Sequence, residues 1–540
     1  MSQQRARTRS AGAPIAPGST GFSDAYARYV LCVLVLVYVV NFVDRQILAV
    51  LAESIKADLH ISDADLGFLF GAAFAVFYAV MGLPLARLAD VWNRKSLIAI
   101  GLAFWSLMTA LSGLARGFLP LAACRFGVGV GEASASPAAY SLLYDYFPRR
   151  VRTTVLAIYS GGVFIGQGIG IFLGGLLLHA WLRLYPDPAT APFGLKGWQV
   201  AFFLVGIPGL LLALWVSTLR EPVRGQLDRV AAPRHPHPFR EAAGLLAAML
   251  PPTSFYLLAR RGGWRPVAVN IGCGLLIALA AGLLVEHTGD HAQWIGLGIG
   301  LYAVTCWKQT LSLHDPVSSR LIFRNRTLMF TVAGAAGTNF MLNSFGYWSI
   351  PYYQRHFHLQ SAQVGWMFGV ATACMGLLGV AAGGFISDRL RARFVAGKLI
   401  VVLTSLLGSM LAASVLLAAS TLTVAYIGSL LLLLFSSAGL GPSVSTLNDM
   451  VLPRMRATAS AFGFMVTYLV AGAVGPYAIG KMSDAFAATL GDPGQGLRCA
   501  MALSLLVPIA GTAFAVLALR SVRHDEAMIQ ARARELGEPV

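Results

Sequence analysis

Four ionisable side chains stand in stretches of sequence otherwise too apolar to carry them: Asp44 and Arg45 after the run Val30 to Val40, and Arg125 and Glu132 further along. A charge within hydrocarbon costs at least about 2.5 to 3.5 kcal/mol on insertion scales, so such groups persist where they face a cavity and a partner. Glu132 follows Arg125 by two helical turns, which places both on one helix face. Two acids and two bases sum to zero when both acids are ionised. Protonating one acid leaves the set net positive and receptive to an anionic headgroup, and deprotonation restores the internal pairs and expels it. The sequence leaves open which of Asp44 and Glu132 titrates. The competing role is a static ion-pair network that fixes two helices.

Tyr38 and Asn41 near the first pair, and Asn339, Asn343 and Tyr347 in the second half of the chain, are candidate cavity-lining residues. Asn448 and Asp449 are weaker candidates. Each is equally suited to an interhelical hydrogen bond. Catalytic chemistry is not expected, because the ten histidines are scattered and no Ser-His-Asp set, HExxH pair or cysteine cluster appears. No metal, cofactor or ATP-binding P-loop is expected. The six cysteines lack the close spacing of a metal or redox motif.

The elements that hold these residues must be membrane helices. The 540 residues are 56% hydrophobic and 12% charged, against roughly 25% charged for a globular domain. Runs such as Leu430 to Phe435 are apolar on every side, whereas barrel strands alternate. About fourteen spans are expected, at 29–51, 66–88, 96–115, 118–145, 154–181, 197–219, 267–286, 293–312, 327–352, 362–384, 396–418, 423–449, 459–483 and 499–519. With these limits Asp44, Arg45 and Arg125 all lie about 10 Å below one surface, so Asp44 and Arg125 are expected to meet, with Glu132 deeper.

The net charge of +17 is not a nucleic-acid signature here. Most of the 41 basic residues fall in segments that are cytoplasmic if the N-terminus is inside, the densest run being Arg220, Arg224, Arg229, Arg234, Arg240, Arg260, Arg261 and Arg265. Both termini are therefore expected in the cytoplasm, with the chain in the plasma membrane, or the inner membrane of a bacterium. Residues 1–28 read as a cytoplasmic tail without a signal peptide.

The chain repeats itself. Leu88-Ala89-Asp90 with Arg94 and Lys95 is matched by Ile386-Ser387-Asp388-Arg389 with Arg391 and Arg393. Phe147-Pro148-Arg149-Arg150-Val151-Arg152 is matched by Leu452-Pro453-Arg454-Met455-Arg456 at nearly the same offset. Two six-helix halves follow, at 29–219 and 327–519, with a basic linker at 220–266, an inserted hairpin at 267–312 and a C-terminal tail at 520–540. Phe239 to Leu250 in the linker reads as an amphipathic surface helix. Both halves lie in one chain, so a monomer is expected.

These motifs resemble the major facilitator superfamily over nearly the whole chain. Its Gly-x-Leu-Ala-Asp-Arg-x-Gly-Arg-Lys turn reads here Ala86-Arg87-Leu88-Ala89-Asp90-Val91-Trp92-Asn93-Arg94-Lys95. The resemblance implies an all-α major facilitator fold and a gating role for Asp90, Arg94, Lys95, Asp388 and Arg389, in which a carboxylate at a helix end caps a neighbouring helix. Within the superfamily, Asn41-Phe42-Val43-Asp44-Arg45 and Arg125-Phe126-Gly127-Val128-Gly129-Val130-Gly131-Glu132-Ala133 are similar to both spinster-type carriers and organic anion:cation symporters. Asn93-Arg94-Lys95 and Arg220-Glu221-Pro222-Val223-Arg224-Gly225 tilt the likeness toward spinster. That implies substrate and proton coupling at Asp44, Arg45, Arg125 and Glu132, a proton gradient as energy source, and a small organic or lysolipid-like solute. The symporter likeness implies a small carboxylate instead, and a sensor that keeps the fold without transporting is the alternative of another class.

Overall fold

Local caps set where the helices begin. Ser23 accepts a hydrogen bond from the Tyr26 amide, Asn93 from Ser96 and Asn325 from Leu328, and Ser62 and Asp65 close a capping box. The computed structural model describes residues 23–225, 227 and 236–535. Most of the expected N-terminal tail, Arg229 and Arg234 of the linker, and residues 536–540 lie outside the described residues.

The first half comprises α1 (Asp24–Leu59), α2 (Asp63–Phe70), α3 (Ala72–Val91), α4 (Arg94–Ser112), α5 (Phe118–Glu132), α6 (Ala135–Tyr146), α7 (Arg149–Leu184) and α8 (Gly197–Ser217). Linker helices α9 (Pro238–Met249) and α10 (Thr253–Gly262) meet at an 86° bend. The hairpin α11 (Trp264–Thr288) and α12 (His291–His314) leads through α13 (Pro316–Phe323) into the second half. That half comprises α14 (Arg326–Asn339), a π-helical segment Phe340–Phe345, α15 (Gly346–His356), α16 (Ser361–Arg391), α17 (Gly397–Ala418), α18 (Leu422–Ala438), α19 (Leu440–Asp449), α20 (Arg456–Thr467), a second π segment Tyr468–Val474, α21 (Gly475–Leu490), α22 (Pro493–Ser504) and α23 (Leu506–Glu535).

Eleven helices among the described residues are long and apolar enough to cross a membrane, or twelve with the bent pair. The remaining expected spans are helical too. One breaks after Glu132 into α5 and α6, one is interrupted by the first π segment, and α12 is studded with Gln293, Lys308 and Gln309. The surface helix of the linker is α9, which rests on α3 through Arg87 and Glu241, 3.4 Å apart, and through the rings of Trp92 and Phe239.

Glycines decide how closely the long helices approach. Gly166 and Gly170 lie against the α1 backbone at Val39 and Val43, where a Cβ would meet Val39 O at 2.5 Å and Val43 Cα at 2.9 Å. On another face of α7, Gly168 and Gly175 meet α16 at Gly369 and Ser361. Stripes of small residues permit such contact, and here one helix binds both its own half and the other.

Candidate functional site

The site lies between the halves. We call the end of the bundle that carries α9 the linker end and the opposite end the closed end. At the closed end Arg355 of α15 pairs with Glu53 of α1 at 2.7 Å and Asp63 of α2 at 2.6 Å. Asp63 also accepts from Lys56 and from Ser483 of α21. Asp484 accepts from the amides of Asp63 and Ala64 at 3.0 and 2.8 Å, capping α2 from the other half. An acid at a helix N-terminus meets free N–H groups and the positive end of the dipole. None of these six residues was singled out by sequence. Lys56, Asp63 and Arg355 sit in the terminal turns of their helices, where charge is ordinary, and nothing local joins Asp63 to Arg355, 292 positions away.

Below this lock a cavity of about 580 Å³ reaches toward the linker end, bordered there by Ala157, Ser160, Leu447 and Ser460. Of the candidates, Tyr38, Arg45, Asn339, Asn343 and Tyr347 line it, and Asn41, Asp44, Arg125 and Glu132 do not. Phe42, Phe70, Phe74, Val163, Phe164 and Phe464 make much of its wall. Arg45 is the one charged residue among the described residues lining it.

Arg45 is held tightly. Its Nε donates to Glu132 Oε2 at 2.5 Å, and its guanidinium lies 4.5 to 4.9 Å from the ring centroids of Phe42, Phe74 and Tyr78. A buried cation over aromatic faces gains from their quadrupoles. Its Nη1 also donates to the hydroxyl of Tyr468, in the second half, at 3.3 Å.

The expected meeting of Asp44 with Arg125 is not what the structure makes. Both oxygens of buried Asp44 and the Nε of Arg125 lack hydrogen-bond partners, and Arg125 lies over the Phe74 ring at 5.7 Å. Trp105 and Thr109 of α4 stand beside Asp44 without closing a bond. The reason is depth. Helix α1 runs on to Leu59, past the apolar run, so Arg45 lies about 21 Å from the closed end of α1. Glu132 lies about 21 Å from the start of α5, whereas Arg125 lies only about 10 Å from it. Arg45 and Glu132 share a level.

The other candidates are dispersed. Asn339 and Asn343 donate to carbonyls one turn back, Tyr38 stacks on Tyr159 and Tyr347 on Phe70. Asn448 accepts from Ser460 and Asp449 pairs with Lys398 at 2.6 Å. Arg94 is buried, pairing with Asp145 and Glu221 and donating to Ser141 and Pro222, all outside the second half. Lys95 donates to Ser217 O, and Arg224 donates to the carbonyls of Ala89 and Asp90. Burial lowers the pKa of Arg224 from its usual value, and neighbouring Arg94 adds to the effect. Asp388 and Arg389 are exposed on α16. In this conformation Arg94 and Lys95 brace the first half, and the bridge between halves is made at the other end.

Residues 34–476 match the family model described as Major Facilitator Superfamily. The chain is 28% identical over 500 residues to an MFS-type efflux pump of Mycolicibacterium smegmatis, covering 91% of this chain and 92% of that protein. It is 24% identical over 489 residues to protein spinster of Drosophila melanogaster, covering 88% of this chain and 64% of that protein. Among solved structures, a bacterial homologue of the human lysosomal transporter spinster, inward-facing and unoccupied, superposes with a TM-score of 0.69 at 25% identity, covering 93% of this chain and 99% of that one.

Proposed function

From the premise that the chain belongs to the major facilitator superfamily and is a multi-pass membrane transporter, we propose that it is a proton-coupled secondary carrier of an anionic, lysolipid-like amphipath. The observation that carries this reading is the lining of the cavity: apolar and aromatic walls with one charged side chain, Arg45. A headgroup anion would meet the guanidinium while its tail lay along the walls. A small, fully hydrated carboxylate would leave those walls without a partner.

Arg45 cannot serve Glu132 and a solute anion equally. With Glu132 ionised, the guanidinium is neutralised by the 2.5 Å pair. Protonating Glu132 frees its charge for the headgroup, and deprotonation returns it to Glu132 and releases the solute. Asp44, next to Arg45 on α1, is proposed as a second titrating acid, and Arg125, two helical turns from Glu132 on α5, as a fixed cation of the same set. Alternating access then proceeds by rocking of the halves, driven by a proton gradient, with no cofactor. The basic residues gathered at the linker end support a cytoplasmic orientation for that end and both termini, in the plasma membrane, and a monomer suffices.

The test is uptake into proteoliposomes of lysophosphatidylglycerol, a sphingoid phosphate and D-glucarate, with proton movement recorded alongside. Lysolipid-dependent proton movement, lost in Arg45→Ala and Glu132→Gln, is expected. Transport of glucarate alone would transfer the reading to a small-carboxylate symporter, and lysolipid uptake indifferent to both substitutions would end it.

A further inference from the structure

Among the described residues, polar contacts between the two halves gather in two places: the closed-end lock around Asp63, and the bond from Arg45 to Tyr468 in the cavity. The second is the unexpected one. The ion pair and ring contacts of Arg45, with Glu132, Phe42, Phe74 and Tyr78, all lie in the first half.

The placement of Tyr468 is built into the backbone. It is the first residue of the π segment Tyr468–Val474, a local widening of the helix that leaves carbonyls out of the usual register. Two of these are taken by side chains from elsewhere. Ser344, in the other π segment, donates to Ala471 O at 2.6 Å, and Gln293 of the hairpin donates to Ala473 O at 3.0 Å. The Tyr468 ring packs on Tyr78 at 4.9 Å, and its hydroxyl arrives 3.3 Å from Arg45 Nη1.

We propose that Tyr468 is the positioning residue through which the second half senses the charge of the Arg45–Glu132 pair. This rests on the proton-coupling reading above. With Glu132 ionised, Arg45 is neutralised and its bond to Tyr468 is an ordinary one. With Glu132 protonated, the guanidinium carries uncompensated charge, and the bond to Tyr468 becomes charge-assisted and stronger. Only an interaction that differs between two conformations shifts their populations. This bond joins the halves in the conformation described here, so protonation favours that conformation, and the signal runs along the helix from Tyr468 to the Asp484 cap.

The experiment needs no transported solute. Spin-labelled amino acids are placed at the exposed linker-end positions Tyr144 and Phe394, one in each half, and the inter-label distance distribution of the full chain in nanodiscs is recorded from about pH 8 to about pH 5.5. In the wild type the ratio of the two conformations is expected to change about tenfold or more over that range, toward the one described here. Tyr468→Phe, which keeps the ring against Tyr78, is expected to reduce the change to less than about twofold, and Glu132→Gln to abolish it. Gln293→Leu, acting on the π segment from outside the cavity, should give an intermediate response. Tyr426→Phe, which removes a hydroxyl bonded to Met367 O, serves as the control with a wild-type response.

A wild-type response in Tyr468→Phe together with a lost response in Glu132→Gln would overturn the role of Tyr468 and leave the proton-coupling reading standing. A wild type that does not respond to pH, or a Glu132→Gln variant that responds as the wild type does, would overturn both.

Discussion

Arg355 and Asp63 meet as a two-pronged pair across the seam between the halves, Nη1 to Oδ2 at 2.6 Å and Nη2 to Oδ1 at 2.7 Å. Side chains of both are almost entirely buried, at 8% and 2% exposure. Fork-to-fork geometry makes such pairs directional as well as strong, and the pair closes the end of the bundle opposite the cavity mouth.

Breaking that pair should open the closed end. Removing one partner of a buried pair costs about 3 to 5 kcal/mol, because the other charge is left uncompensated. Arg355→Gln is therefore expected to make a cysteine placed at buried Ser349 reactive toward a membrane-impermeant maleimide from the closed-end side. Asp484→Ala removes only the cap on α2, worth about 0.5 to 2 kcal/mol, and should give a smaller rise in labelling. Equal protection of Ser349→Cys in all three backgrounds would show that the lock does not gate.

Glycines of α7 separate by what stands opposite them. A methyl group at Gly166 would lie 2.5 Å from Val39 O, whereas one at Gly162 meets ordinary contacts at 3.5 Å. Gly166→Ala is expected to destabilise the protein by about 1 to 3 kcal/mol through overpacking. Gly162→Ala should be neutral or slightly stabilising. Thermal unfolding midpoints of the two purified variants, compared side by side, check the order.

The hairpin clasps α21. Asp290 accepts from Tyr477 at 2.7 Å and pairs with Lys481 at 2.6 Å, Lys481 also reaches Thr288 O, and Trp294 packs edge-on against Tyr477. Lys481 is 39% exposed, so Asp290→Asn should cost less than about 1 kcal/mol. Gln293→Leu leaves the buried Ala473 carbonyl unsatisfied and should cost about 1 to 3 kcal/mol. Hydrogen exchange within Tyr468–Leu490 is the measurement, with faster exchange expected for Gln293→Leu than for Asp290→Asn.

At the linker end Asp315 caps α13 through the Ser318 amide and accepts from Arg454 at 2.9 Å. Partial burial pushes its carboxyl upward, but the bonds from Arg454 and Ser318 outweigh that and hold it at about 2. A carboxyl with a depressed pKa contributes stability that is fully present above its unfolded value of about 3.9 and is lost as pH falls toward 2. Asp315→Asn keeps the cap and removes the charge, so its deficit should be constant from neutral pH to about pH 4 and vanish toward pH 2. Unfolding midpoints of the two proteins, measured against pH, test the sign. A deficit that grew on acidification would contradict it.

Much of the architecture could be read from residues alone, because a bilayer imposes long apolar helices and makes each buried charge conspicuous. Arg45 and Glu132 stood out for that reason. Partnerships were another matter. Asp44 was matched to Arg125 on a depth inferred from where apolarity ends, yet Glu53, Lys56 and Asp58 continue α1 to Leu59 as regular helix. A helix stops where its backbone loses hydrogen bonds and caps, and hydropathy does not report that.

The spanning helices and the charges buried in them were thus legible in the amino-acid order. Folding set Arg45 against Glu132 within the first half, and it set the contacts made across the seam: Arg45 with Tyr468, Arg355 with Asp63, and Asp484 on the start of α2. Helix formation and burial in lipid are local properties, carried by each segment's own backbone bonds and apolarity. The seam contacts join residues hundreds of positions apart, and their partners follow from how the glycine faces and the two π segments set the helices against one another.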